Sequence, residues 1–241
     1  MEALEHPSPL VQLINALLAP LHLHAPDHLV FSALICLIVL ALGLAIRPSL
    51  SVASPGRVQI VLEDIVGFFV SSIESFMGPR GRQFLPMLGG LFVFIWIGNM
   101  MGQVPGLGAP TSNVNVPFAC AITLWLYYHY QGVRAQGPVS YIKHFGVMPG
   151  VPIVMAPMIF VIEIISHFSR VLSLTLRLFG NIFGEHLVVL IIASIVPFLL
   201  PLPIQFLGLV VGTLQAFIFL VLGAIYLAAA VTVGEHHEEL G

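Results

Sequence analysis

Pro157–Val196 reads PMIFVIEIISHFSRVLSLTLRLFGNIFGEHLVVLIIASIV. These 40 residues hold no second proline. Proline suits the first turn of a helix, and a helix of this length is about 60 Å long, twice the hydrocarbon thickness of a bilayer. Two perpendicular spans would need a polar turn between them, and none of the usual turn dipeptides occurs. The stretch therefore predicts one long helix, strongly inclined to the membrane normal. Its partner, Ile204–Val233, is 30 residues long, again more than a perpendicular crossing requires. Together they form a hairpin over 157–233, broken at PFLLPLP (Pro197–Pro203).

The long helix carries charge. Measured from Arg177, Ser173 lies at about −40°, Arg170 at about +20°, Ser166 at about −20°, and Glu163 and Asn181 at about +40°. Glu185 sits further round at about +80°, and His186 is on the opposite side, roughly 100° from Glu185. One polar stripe thus holds Glu163, Ser166, Arg170, Ser173, Arg177 and Asn181, with Gly180 and Gly184 beside it to admit another helix. A buried arginine costs about 2.5–3.5 kcal/mol in a bilayer and needs a partner or a wet cavity. It stays protonated, so it acts as a fixed positive charge that keeps a nearby carboxyl ionised. Glu163 is roughly 21 Å along the helix and too far to neutralise Arg177. The partner is either Glu185, by a bend, or a carboxylate on another subunit, which an outward-facing stripe favours.

Composition agrees. Of 241 residues 58% are hydrophobic and only 8% charged, and the mean hydropathy is +1.03. A soluble domain carries about 25% charged residues, so ordinary soluble enzymes and disordered regulators are excluded. The net charge of −3 leaves no basic surface for nucleic acid. Cys36 and Cys120 sit in apolar runs and read as small buried hydrophobes. No metal centre or cofactor site is expected; His22, His24 and His28 belong to a wet N-terminal segment, 1–28.

The expected fold is an all-α integral membrane protein, with about five membrane-crossing helices and one amphipathic interfacial helix. The first span is 29–46, stopped at Arg47-Pro48. At 58–77, apolar residues recur at helical spacing with Glu63, Asp64 and Glu74 along one edge. This is a helix lying at the interface or packed on the bundle. A helical hairpin follows over 84–133. Six of the eight basic residues (Arg47, Arg57, Arg80, Arg82, Arg134 and Lys143) fall in two connections on one side. That side is cytoplasmic, which puts the N-terminus outside and the C-terminus inside.

SLTLRLFGNIFGEHLV (Ser173–Val188), TLQAFIFLVLGAIYLAAA (Thr213–Ala230), GNMMGQVPG (Gly98–Gly106) and TSNVNV (Thr111–Val116) resemble subunit a of F-type ATP synthases. The likeness covers most of the chain from about Val58, and the first 28 residues add nothing to it. It implies a non-catalytic stator in the bacterial inner membrane. The partners it implies are a rotating c-subunit ring, b-type peripheral stalk subunits and the rest of the ATP synthase, in contact with lipid. The family's essential arginine matches Arg177, its asparagine Asn181 and its glutamine Gln215. The resemblance further implies two offset half-channels. Asn181, Glu185, His186 and Gln215, with Asn113 and Asn115, would line the outer one; Glu163, Ser166 and His167 would line the cytoplasmic one, with Arg170 and Ser173 as auxiliaries.

One departure stands out. The family often splits a titratable pair between the two long helices, with one member seven residues before the glutamine. Here that place is Gly208, while Glu185 and His186 are adjacent, and which of them carries the proton stays open. Asn181 and Gln215 could instead bridge helices, Glu163 and His167 could be a local i,i+4 pair, and Arg170 could snorkel. Asn99, Asn113 and Asn115 also fit helix-end or packing roles. A secondary transporter or channel with its own charged site is the competing function, but it often shows internal repeats and broken helices, and neither is seen. A haem subunit needs facing histidines; His167 and His186 share one helix.

Overall fold

The computed structural model of the chain describes residues 9–19, 24–52, 54–104, 107–146, 153–195 and 200–232. Every regular element among them is helical. A short helix α1 (Pro9–Leu18) leads to α2 (Asp27–Ile46), α3 (Arg57–Met77), α4 (Leu85–Met101) and α5 (Asn115–Gln136). A nine-residue α6 (Pro138–Gly146) precedes the long pair, α7 (Ala156–Ile195) and α8 (Pro201–Thr232). His22 and the acidic tail at 235–239 lie outside the described residues.

The helix limits follow local chemistry. Pro26 is extended ahead of α2, Asp27 opens it, and Arg47-Pro48 begins a single 3-10 turn that ends it. Gly137 takes φ 80° between α5 and α6, a value that side-chain-bearing residues rarely adopt. The chain therefore reverses there through one residue. α7 runs 40 residues without interruption.

Among the described residues, four stretches are long and apolar enough to cross a membrane: Asp27–Ser49, Arg57–Met101, Ala156–Ile195 and Pro201–Val231. The second joins α3 and α4 through the 3-10 turn Gly78–Phe84. α5 is long enough at 22 residues but carries Asn115, His129 and Arg134. α3 packs on the bundle: Phe69 and Ile73 are buried, and Phe68 stacks on Phe217 of α8 at 5.7 Å. Val58, Val61, Ile65 and Val66 on its other side are exposed.

α8 is the centre of the bundle, contacted by α3, α4, α5 and α7. Ala216, Phe219, Leu220, Ala224 and Leu227 are fully buried along it, recurring every three or four residues as one helical face requires. Small residues allow the close approach. A β-carbon at Gly223 would lie 2.7 Å from Leu88 Cδ2 and 3.2 Å from Leu124 Cδ1. Gly223→Val is therefore expected to overpack the α4–α5–α8 junction by about 1–3 kcal/mol. Thermal melting of the purified complex checks this, and an unchanged midpoint would contradict it.

By contrast, only 11% of the most apolar part of α7 is buried, against 39% for α8. α7 stands at the edge of the bundle. Cys36 corrects the sequence reading: it is exposed on the outside of α2, and only Cys120 is buried. Both thiols are free.

Candidate functional site

α7 buries one face, formed by His167, Val171, Leu174, Thr175, Leu178 and Ile182. The opposite face exposes Leu172, Ser173, Leu176, Arg177, Gly180 and Asn181. Arg177 Nη2 donates to Ser173 Oγ across 3.5 Å, a long contact that contributes little. His167 pairs with Glu163, whereas no carboxylate among the described residues pairs with Arg177. A β-carbon at Gly180 or Gly184 would meet no atom. The result is a permanent cation on an outward surface of leucines, Ser173 and Asn181, with a shallow notch beside it.

One group of polar side chains gathers toward the Glu185 end of α7. Asn181 Nδ2 donates to Gln215 Oε1 at 3.0 Å, bridging α7 and α8. Gln215 is buried, and its Nε2 finds no acceptor among the described residues. Glu185 does not bend back to Arg177. Its Oε1 accepts from Gln103 Nε2 at 2.6 Å, and its carboxyl group occupies the space a side chain at Gly208 would need. His186 Nε2 lies 2.8 Å from where a β-carbon at Gly102 would stand. Two glycines on neighbouring helices thus make room for two polar side chains. Although about 100° apart around α7, Glu185 and His186 both reach the end of α4, at the consecutive residues Gly102 and Gln103.

Asn113 and Asn115 are at a helix start. Asn113 Oδ1 accepts from the backbone N–H of Asn115 at 3.1 Å, which satisfies a donor in the first turn of α5. Among the described residues, no hydrogen bond joins either to Asn181, Glu185, His186 or Gln215. Asn99 is buried and packs: its Nδ2 donates to the Gly212 carbonyl at 2.9 Å, and its Oδ1 accepts from Thr111 Oγ1 at 2.8 Å.

A second polar group lies toward the Glu163 end. His167 Nε2 is 3.4 Å from Glu163 Oε1, and its Nδ1 is 2.7 Å from the Tyr128 hydroxyl. Arg170 lies over the Tyr226 ring, 4.9 Å from its centroid, and that ring packs 6.0 Å from the Tyr128 ring. His129 Nδ1 is 2.6 Å from the hydroxyl of Tyr141. Burial pushes that hydroxyl up to about 12, so Tyr141 keeps its proton at neutral pH. Ser166 is half-buried beside this group and offers its carbonyl to Ser169 Oγ at 3.1 Å.

The two groups are separated by an apolar belt. Leu174, Leu178, Phe219 and Leu220 are buried between them, and Thr175 is satisfied by the Val171 carbonyl at 2.8 Å. Glu163 and Glu185 are about 33 Å apart along the helix, with Arg177 on the open face between. The helical period placed the residues of α7; it gave no sign of Gln103 or Tyr128. Gln103 sits within the quoted GNMMGQVPG motif, and only its packing against α7 distinguishes it.

The sequence pattern of the family described as ATP synthase A chain matches residues 29–228, a span that takes in α2 as well as the motifs quoted above. The chain is 39% identical to ATP synthase subunit a of Geotalea uraniireducens over 231 residues, 95% of this chain and 99% of the relative. It is 44% identical to ATP synthase subunit a of Aliarcobacter butzleri over 186 residues, 76% of this chain and 79% of the relative. With ATP synthase subunit a of Nitratidesulfovibrio vulgaris it shares 45% over 193 residues, 80% of this chain and 81% of the relative.

Proposed function

The chain belongs to the ATP synthase A chain family, and from that premise we propose that it is the stationary half of a rotary proton path. As a family member it is a non-catalytic, multi-pass membrane subunit of the ATP synthase. Its working partner in this reading is a ring of c subunits bearing membrane-embedded carboxyl groups, which turns against the exposed face of α7. Peripheral b-type subunits hold it still. The N-terminus is outside and the C-terminus cytoplasmic, following the basic residues of the connections.

The observation that carries this reading is Arg177: an exposed guanidinium on the least-covered helix, with only a 3.5 Å contact to Ser173. A neutral carboxyl group faces lipid at modest cost, whereas an ionised one needs a countercharge. Each ring acid therefore releases its proton as it meets Arg177 and regains one before returning to lipid. The outer half-channel runs by Asn181, Gln215, Glu185 and His186. The cytoplasmic half-channel runs by Glu163, Ser166 and His167. Their separation along α7, with an apolar belt and a fixed cation between, supports two offset paths without a direct leak. Asn113 and Asn115, bonded to each other at the start of α5, also line the outer half-channel.

Disulfide trapping tests the ring-facing surface. In a background with Cys36→Ser and Cys120→Ser, Gly180→Cys is expected to cross-link to a cysteine placed beside the ring carboxylate. Leu40→Cys on the exposed face of α2 is expected not to. Cross-linking from position 40 and none from 180 would place the ring elsewhere and overturn the assignment.

A further inference from the structure

We propose that Tyr128 and His167 are positioning residues for Glu163, acting as a polarised chain of donors that runs from Arg170 to the carboxylate. This rests on the reading of Glu163 as a cytoplasmic-path residue and extends it to α5. A neutral imidazole has one N–H donor and one bare acceptor nitrogen, and its neighbours decide which is which. Arg170 has donors only and a permanent charge. Lying over the Tyr226 ring, which packs 6.0 Å from the Tyr128 ring, it turns the Tyr128 O–H dipole away from itself, toward His167 Nδ1 at 2.7 Å. Nδ1 is then the acceptor, and the ring proton sits on Nε2, facing Glu163 Oε1 at 3.4 Å. One carboxylate oxygen is held, and the other is free to take a proton from the ring acid and pass it to cytoplasmic water. No proton moves through His167 itself.

The surroundings fit a group that must hold one orientation. His167 and Tyr128 are both buried. Among the described residues, the titratable and charged groups round the imidazole include Tyr128 and His129 of α5, Tyr141 of α6, Glu163 and Arg170 of α7, and Tyr226 of α8. The His129 ring is 4.8 Å from His167, and the Phe145 ring 4.9 Å. A cavity of about 270 Å³, lined by Trp125, His129, Tyr141, Phe145 and His167 among others, adjoins the ring.

The test is ATP-driven proton pumping in inverted membrane vesicles carrying the intact complex. His167→Leu, which offers Glu163 no donor, is expected to lower pumping about tenfold, the scale of a misplaced reacting group. His167→Gln retains an amide N–H for Glu163 and is expected to keep most of the activity. Tyr128→Phe preserves the ring and removes only the hydroxyl; it is expected to cost about threefold, because the imidazole then offers its bare nitrogen part of the time. In the His167→Leu background the same change is expected to cost nothing further. A purely structural Tyr128 would give additive losses in the double variant, and that result overturns the proposal. Wild-type pumping in His167→Leu also overturns it, provided Glu163→Gln is impaired. If Glu163→Gln is silent as well, the cytoplasmic-path reading itself fails. Membrane-bound ATP hydrolysis reports assembly, and His167→Ala replaces His167→Leu if the latter does not assemble.

Discussion

Arg177→Ala is expected to abolish ATP-driven proton pumping in inverted vesicles while the detached catalytic head hydrolyses ATP at its wild-type rate. The guanidinium is exposed, pairs with no carboxylate among the described residues, and donates to Ser173 Oγ across a long 3.5 Å. Removing it leaves the packing of α7 nearly untouched, since the buried face is formed by other residues. What is lost is the countercharge that lets a ring carboxylate ionise inside the membrane. An uncompensated acid there costs about 2.5–3.5 kcal/mol, so the coupled rate falls by about a hundredfold or more. The substitution also opens the apolar belt to passive leakage, because no fixed cation then separates the two half-channels. Coupled pumping in Arg177→Ala would remove the central role assigned to this residue.

The second large effect concerns the outer path. Glu185→Gln is expected to lower pumping by about tenfold or more, the scale of losing a positioned proton-transfer group. His186→Ala is expected to cost less. The carboxyl group of Glu185 is gripped by Gln103 at 2.6 Å and seated over Gly208, against α8 and near the Asn181–Gln215 bridge. Glutamine keeps that shape and removes only the capacity to take up and release a proton, so a loss reports chemistry rather than packing. His186 instead lies against the backbone end of α4 at Gly102. The opposite ranking of the two variants would mean that His186 carries the outer proton and Glu185 orients it.

The helical period was enough to place one helix's residues relative to one another. The absence of proline or a turn between Pro157 and Val196 announced an unbroken α7, and the angles of Ser173, Arg177 and Asn181 put them on one exposed face. What the period cannot supply is the reach of a neighbour. Gln103 meets Glu185 across 82 positions of sequence and Tyr128 meets His167 across 39. Both bonds depend on how far α4 and α5 slide along α7, which is set by packing against α8. The same limitation explains Glu185 and His186. Their angular separation suggested different surroundings, yet α4 ends where both side chains can reach it. Cys36 failed differently: an apolar run reads as buried in water-soluble logic, but in a bilayer lipid covers the outer face of α2 as well as protein would.

The most direct measurement is a density map of the intact complex at a resolution that shows side chains. The Arg177 guanidinium is expected to face the ring at mid-membrane, within about 4–6 Å of a ring carboxylate, with Gly180 and Asn181 against the same ring helix. A guanidinium turned up to the headgroups, or bonded to a carboxylate of its own chain with the ring packed on another helix, would contradict it.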